Sequence, residues 1–191
     1  MSYGIVVMKI LVLFLYCSTV FLATNAEVYY VPKITDNVFS CDKFENKFLN
    51  CDGLKIGSGD ESATLSGQIK TSLELQSDID IEIDVWKVLD LCEEYMYTSR
   101  MNFCQSLENQ DTPWYPVIQK MNISGCPVPI NVFEVQGLTI SLDALKDVMT
   151  HNFCGAYRVQ LSFMDGVEKM SCHVIELSIV EQDDEDDDDE K

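Results

Sequence analysis

Positive charge is scarce in this sequence: 13 Lys and Arg stand against 32 Asp and Glu among 191 residues, a formal net charge of −19 at pH 7. No basic cluster interrupts that balance, so nucleic acid and anionic membrane surfaces are disfavoured as direct partners. Histidine is scarcer still, with two in the chain. The sequence has no Gly-x-Ser-x-Gly elbow, no phosphate-cradling glycine loop and no His-x-x-x-His metal pair. His173 follows Cys172 directly, and on one strand such neighbours point to opposite faces and cannot form a nucleophilic pair. His151, next to Asn152 in a turn, reads as a surface residue. These absences argue against an enzyme, and no cofactor and no resident metal are expected. There is also no Cys-x-x-Cys, which disfavours a zinc ribbon or a thioredoxin-like site, and no internal repeat.

Long apolar runs are missing too, with one exception near the start. Ile10 to Tyr16 is unbroken and continues in softened form to Leu22, behind a lead containing Lys9. It falls short of the ~20 residues that a spanning helix needs. Ala23-Thr24-Asn25-Ala26 then offers small residues at cleavage spacing, so residues 1–26 read as a secretory signal peptide. That leaves 27–180 as one domain, large enough to bury a core, and 181–191 as an acidic tail. From Asp183 to Glu190 every residue is acidic, and like-charge repulsion without any apolar residue predicts disorder. Behind a signal peptide, Cys41, Cys51, Cys92, Cys104, Cys126, Cys154 and Cys172 read as a disulfide framework. Their odd number leaves at least one thiol unpaired or intermolecular.

What is present is alternation. Tyr157, Val159, Leu161 and Phe163 recur at every second position, Asp165-Gly166 breaks the run, and Met170, Cys172, Val174, Leu177 and Ile179 follow, which predicts a β-hairpin. Ile79, Ile81, Ile83 and Val85 alternate with Asp78, Asp80, Glu82 and Asp84, predicting a strand with one apolar wall and one solvated row of carboxylates. Residues two apart on a strand are held nearly 7 Å apart in a row, so those carboxylates suit water better than a calcium ion.

Further strands are expected at Leu54 to Ile56, from Gly67 through Ile69, Thr71, Leu73 and Leu75, at Val132 to Val135, and through Leu138, Ile140 and Leu142. Val28 to Pro32 reads as an extended segment that its proline keeps at an edge or outside the sheet. From Trp86 to Gln110 the spacing of Val88, Leu89, Cys92, Tyr95, Met96 and Phe103 is closer to helical, so a helix or two short helical turns held by Cys92 and Cys104 are expected. Another helical turn is expected from Ala144 to Thr150. Asp111-Thr112-Pro113-Trp114-Tyr115-Pro116 is a proline-bracketed loop with two large aromatics that pack back as a lid or guard an opening. Asn122-Ile123-Ser124 is a glycosylation sequon, which puts Asn122 on the surface. Seven or eight short strands with little helix indicate an all-β, two-sheet sandwich of immunoglobulin-like type with one or two short helices.

Asn102-Phe103-Cys104, Cys126-Pro127-Val128-Pro129, Gly155-Ala156-Tyr157-Arg158 and the Asp165-Gly166 turn six residues before Cys172 together resemble the ML lipid-recognition superfamily. The resemblance covers Phe39 to Ile179 and is closest to the ganglioside-activator proteins and their insect relatives. It implies a sandwich whose sheets splay around an internal apolar pocket, and bridges from Cys41 to Cys172 and from Cys104 to Cys126. Cys92 matches a family cysteine whose partner is replaced here by Ser99 and Arg100, leaving Cys51, Cys92 and Cys154 for one further bridge and one leftover thiol. The family's glycine soon after Cys-Pro-x-Pro is also absent, with Ile130 and Asn131 in its place.

The function the resemblance implies is lipid binding and transfer, with a lipid tail, sterol or hydrocarbon in the pocket. The alternative is a lipid-dependent co-receptor, or an immune or chemosensory recognition protein of the same fold. Implied partners are a lipid or another hydrophobic small molecule, and a membrane receptor or lipid-processing enzyme. The implied location is extracellular, with the lysosome as the alternative. One-sided alternation nominates Ile81, Ile83, Val85, Leu138, Ile140, Tyr157, Val159, Leu161 and Phe163 as the wall, with Trp114 and Tyr115 near the mouth. A dry core formed by the same faces closing on each other is the competing reading.

Overall fold

A computed structural model of the chain describes residues 28–35, 37–51, 53–58, 62–76, 78–110, 112, 115–141 and 149–183. Tyr29–Gln182 forms one compact unit. The signal peptide, the tail beyond Asp183 and most of the helical turn expected from Ala144 lie outside the described residues.

The first sheet runs β1 (Val28–Ile34), β10 (Glu168–Asp183), β9 (Gly155–Asp165), β6 (Ile79–Val88), β7 (Glu93–Asn102). The short β2 (Phe39–Ser40) also pairs with β10. The second sheet holds β3 (Leu49–Asn50), β4 (Lys55–Ser58), β5 (Ser62–Thr71) and β8 (Asn131–Ser141). Thr71 pairs with both Leu49 and Asn131, and Ala63 with both Ser58 and Ile140. β3 and β4 therefore follow each other along one edge of β5, and β8 covers the other. The two antiparallel sheets make an all-β sandwich.

The expected closing hairpin is the centre of the first sheet. Asp165 pairs with Glu168, leaving Gly166-Val167 as a two-residue loop. Gly166 has φ +57°, the sign that a tight hairpin turn requires and that glycine adopts without strain. Arg100 on β7 donates a hydrogen bond to the Gly166 carbonyl and pairs at 3.0 Å with Asp80 and at 3.9 Å with Glu82. Asp80, Glu82 and Asp84 are thus half-buried, and the Tyr95 hydroxyl donates to Asp84 at 3.3 Å. The carboxylate row expected to face water alone is partly neutralised by its neighbour strand.

The helix expected from Trp86 to Gln110 is instead the β6–β7 hairpin, followed by one short helix, Phe103–Ser106. β7 is the free edge of its sheet, and Glu93 to Thr98 are exposed on both faces. With neither face buried, nothing in the sequence enforces period two, and the scattered apolar residues mimic helical spacing. The short helix starts where Asn102 accepts the Gln105 N–H at 3.0 Å, an N-cap that satisfies one of the orphan donors. A second helix spans Tyr115–Lys120. The two strands expected either side of Gly137 are one strand, β8, with an irregular register where it passes Ser66, a β-bulge. β5 starts at Ser62, ahead of the expected start at Gly67, and ends at Thr71; Leu73 is exposed and Leu75 forms an isolated bridge with Val128. β1, with Pro32, lies at the sheet edge as expected.

Disulfides join Cys41 to Cys172 and Cys104 to Cys126. The first ties the opening segment to the closing hairpin, the second ties the short helix to the segment that leads into β8. Cys92 and Cys154 are free thiols, so the further bridge expected among Cys51, Cys92 and Cys154 is not made.

Candidate functional site: an apolar cavity between the sheets

Between the sheets lies a cavity of about 390 Å³. From the first sheet it is walled by Val159, Leu161 and Phe163 of β9, by His173, Ile175 and Leu177 of β10, and by Ile81 of β6. Alternation aims these chains inward, and register aligns them: His173 opposes Leu161, and Ile175 opposes Val159. Facing them are Ala63, Leu65, Ile69 and Thr71 of β5, with Leu49 and Ile56 from the strands along its edge. Val117, Ile118, Met121 and Ile123, from the second helix and the turn after it, supply a third side with Phe103 and Val128.

No lining residue carries a formal charge, and the exposed wall is apolar throughout. The two polar members turn their polar atoms into the backbone. Thr71 donates to the Pro129 carbonyl at 2.8 Å and accepts the Asn131 N–H at 2.8 Å. His173 Nε2 lies 3.0 Å from the Leu49 carbonyl, which requires the proton on that nitrogen. The Leu49 N–H in turn donates to Ser171 at 2.7 Å, so β3 of one sheet is pegged to β10 of the other. Phe163 is packed between Phe48 and Phe103, with ring centroids 5.5 and 5.6 Å away.

Of the residues nominated from sequence, Ile81, Val159, Leu161 and Phe163 line the cavity. Ile83 and Leu138 are half-buried and pack on the core beside it. Val85 is half-buried one row further along β6, and Tyr157 is buried opposite Lys87, whose ammonium sits 5.7 Å above its ring. The Tyr157 hydroxyl donates to the Phe153 carbonyl at 2.8 Å, so this row is a polar closure. Ile140 pairs with Ala63 in β8, while its side chain, like the whole of Trp114, lies outside the described residues. Tyr115 opens the second helix, where its hydroxyl accepts from Gln119 at 3.0 Å, away from the lining set. Asn122 is exposed in the turn after that helix, at φ +55°.

The pattern of hits and misses has one geometric cause. The cavity sits over β9 and β10 on one side and over β5 with β3 and β4 on the other, so the inward row of β8 and, Ile81 apart, that of β6 fall beside it. Leu49, Leu54 and Val38 were missed because they lie in two-residue strands or loops too short to show a period. Val117, Ile118 and Met121 did carry a signal, the i, i+1, i+4 spacing of one helical face. Neither a family model nor a curated protein matches the chain.

Proposed function

We propose that this chain is a secreted lipid-binding or lipid-transfer protein of ML type that encloses an acyl chain, sterol or other hydrocarbon between its sheets. The observation that carries this reading is the size of an uncharged, wholly apolar cavity. At about 390 Å³ it falls within the ~300–1,000 Å³ of ordinary ligand pockets, whereas the voids of a close-packed interior are seldom larger than a water molecule. The volume equals about 13 water molecules at ~30 Å³ each, and a methylene is about that size. A dozen buried methylenes at ~0.8 kcal/mol offer on the order of 10 kcal/mol before ordering costs, so no charged anchor is needed. The two disulfides are compatible with an extracellular protein, and a glycan on Asn122 would stand clear of the wall.

A second reading, a lipid-dependent co-receptor, draws on the β6–β7 hairpin. Leu91 at its tip is 99% exposed, and Tyr95, Met96 and Tyr97 are exposed along the free edge, a surface on which a receptor ectodomain could add a strand.

The test is uptake of a fluorescent fatty acid or sterol analogue by delipidated protein, with native mass spectrometry of material from its natural source. Saturable uptake at one site and a retained hydrophobic ligand are expected. No uptake across a panel of fatty acids, sterols and hydrocarbons would leave only a structural sandwich.

A further inference from the structure

The second concentration of chemistry lies where the segment ahead of β9 meets the end of β10. His151 opens the 3-10 turn His151–Phe153, Cys154 closes it, and Glu181 stands near the end of β10. One ligand atom from each, an imidazole nitrogen, the thiol sulfur and a carboxylate oxygen, all lie within 4.8 Å of one another. From these three residues we propose a binding site for a zinc-class divalent ion, with His151, Cys154 and Glu181 as ligands and a fourth position open to water.

The local backbone explains the convergence. On a 3-10 turn, side chains at i and i+3 eclipse, so His151 and Cys154 leave the chain on the same side. The Cys154 N–H donates to the His151 carbonyl at 3.0 Å and fixes that relation. Glu181 arrives from another strand, with Oε2 3.3 Å from His151 Nδ1. In a tetrahedral zinc site, bonds of ~2.3 Å to sulfur and ~2.0–2.1 Å to nitrogen and oxygen imply ligand-to-ligand distances of about 3.3–3.7 Å. One edge of that tetrahedron is already present. The others are no longer than 4.8 Å, so closing them needs shifts of at most about 1.3 Å, and the His151 and Glu181 side chains are 78% and 48% exposed and free to make them.

The donor set selects the ion. Calcium and magnesium take oxygen ligands, whereas thiolate with imidazole and carboxylate suits zinc and its neighbours. Thiolate and carboxylate together carry −2, which a divalent ion cancels. The ring of Tyr30 packs edge-on against His151 at 6.4 Å and closes one side of the group. The geometry is also unlike a nucleophilic relay, in which the imidazole stands between thiol and acid and uses a different nitrogen for each. Here the three ligand atoms close a triangle. A bound ion would staple the start of β9 to the end of β10, and it would do so independently of anything in the cavity.

The experiment is titration of the chain without residues 1–26, and so without Cys17, carrying Cys92→Ser to remove the exposed thiol outside the site, with Co2+ as the probe. One equivalent is expected to produce a thiolate-to-cobalt charge-transfer band, which the carboxylates of the acidic tail cannot generate. Zn2+ should bleach the band and Ca2+ or Mg2+ should leave it. Cys154→Ser should abolish it, and His151→Ala and Glu181→Gln should each weaken binding about tenfold or more, with circular dichroism matching the parent. The proposal is overturned by absence of the band at saturating Co2+, by a band that persists in Cys154→Ser and so comes from Cys51, or by recovery of Cys154 in a disulfide.

Discussion

A Cβ on Gly67 would lie 2.7 Å from the Gly53 carbonyl oxygen and 2.9 Å from Leu54 Cα, and the residue's φ is +136°. Both obstacles are backbone, so no side chain can yield to make room. The contact presses the Gly53-Leu54 loop onto β5, and Leu54 and Leu65 beside it line the cavity. Gly67→Ala is expected to cost about 2–4 kcal/mol through overpacking and dihedral strain together, read as a lowered denaturant midpoint at unchanged slope; a loss under 0.5 kcal/mol would show the approach to be unimportant. Leu161 makes the opposite point, since its site has room but no polarity. Leu161→Arg places a charge on a wall with no charged neighbour, so ligand uptake should fall at least tenfold in folded protein. Thr98→Arg, exposed on β7 and paired across from Asp84, should leave uptake within twofold. Equal affinities in the two variants would mean that ligand binds elsewhere.

At the scale of elements, the two disulfides differ in what they hold. Cys41–Cys172 spans 131 residues and Cys104–Cys126 spans 22. Loop-closure entropy alone would give about 5 and about 3.4 kcal/mol, so removing the first pair should be the more destabilising in chemical denaturation. The second pair encloses the helix Tyr115–Lys120, whose Val117 and Ile118 wall the cavity. Replacing Cys104 and Cys126 by alanine should therefore speed ligand release more than its stability cost predicts, and stopped-flow displacement would show whether it does. The same elements divide into those that the sequence makes legible and those it hides. Tyr157 to Phe163 and Ile79 to Val85 each turn apolar side chains to the face that meets the other sheet and polar ones to the opposite face, which writes a period into the residues, and both strands can be read. Glu93 to Thr98 of β7 have no buried face, and the stretch reads falsely as helix. The cavity is legible only in part, because its position depends on which inward rows remain uncovered. Leu161 and Ile83 oppose each other across two strands, carry the same pattern, and differ only in what lies over them. That difference is set by β3, β4 and the helix after Thr112, where the chain is too short between turns to advertise a face.

For the whole molecule, charge and cavity act on separate properties. β10 continues to Asp183, three residues past the point where composition places the tail, so a truncation that tests the tail should keep Asp183 and remove 184–191. The removed segment contains no apolar residue and has nothing to contribute to a core; its loss should leave the melting temperature and ligand affinity unchanged at moderate salt, while solubility falls as net charge drops. Ligand should act in the opposite way. If about 390 Å³ stands open in the empty protein, filling it recovers the lost contacts, and the folded state alone gains because the unfolded chain has no such space. Ligand at 100 times its Kd then stabilises by about 2.7 kcal/mol, which for a domain of this size raises the melting temperature by about 5–10 °C. Delipidated protein titrated in a thermal melt should show that rise for long-chain fatty acids or sterols, in the full chain and in the chain ending at Asp183 alike. Short-chain acids that cannot span the wall should give much less. A melting temperature that ignores every hydrophobic ligand would mean that the sheets close on themselves in solution, and the lipid-binding reading would fail with it.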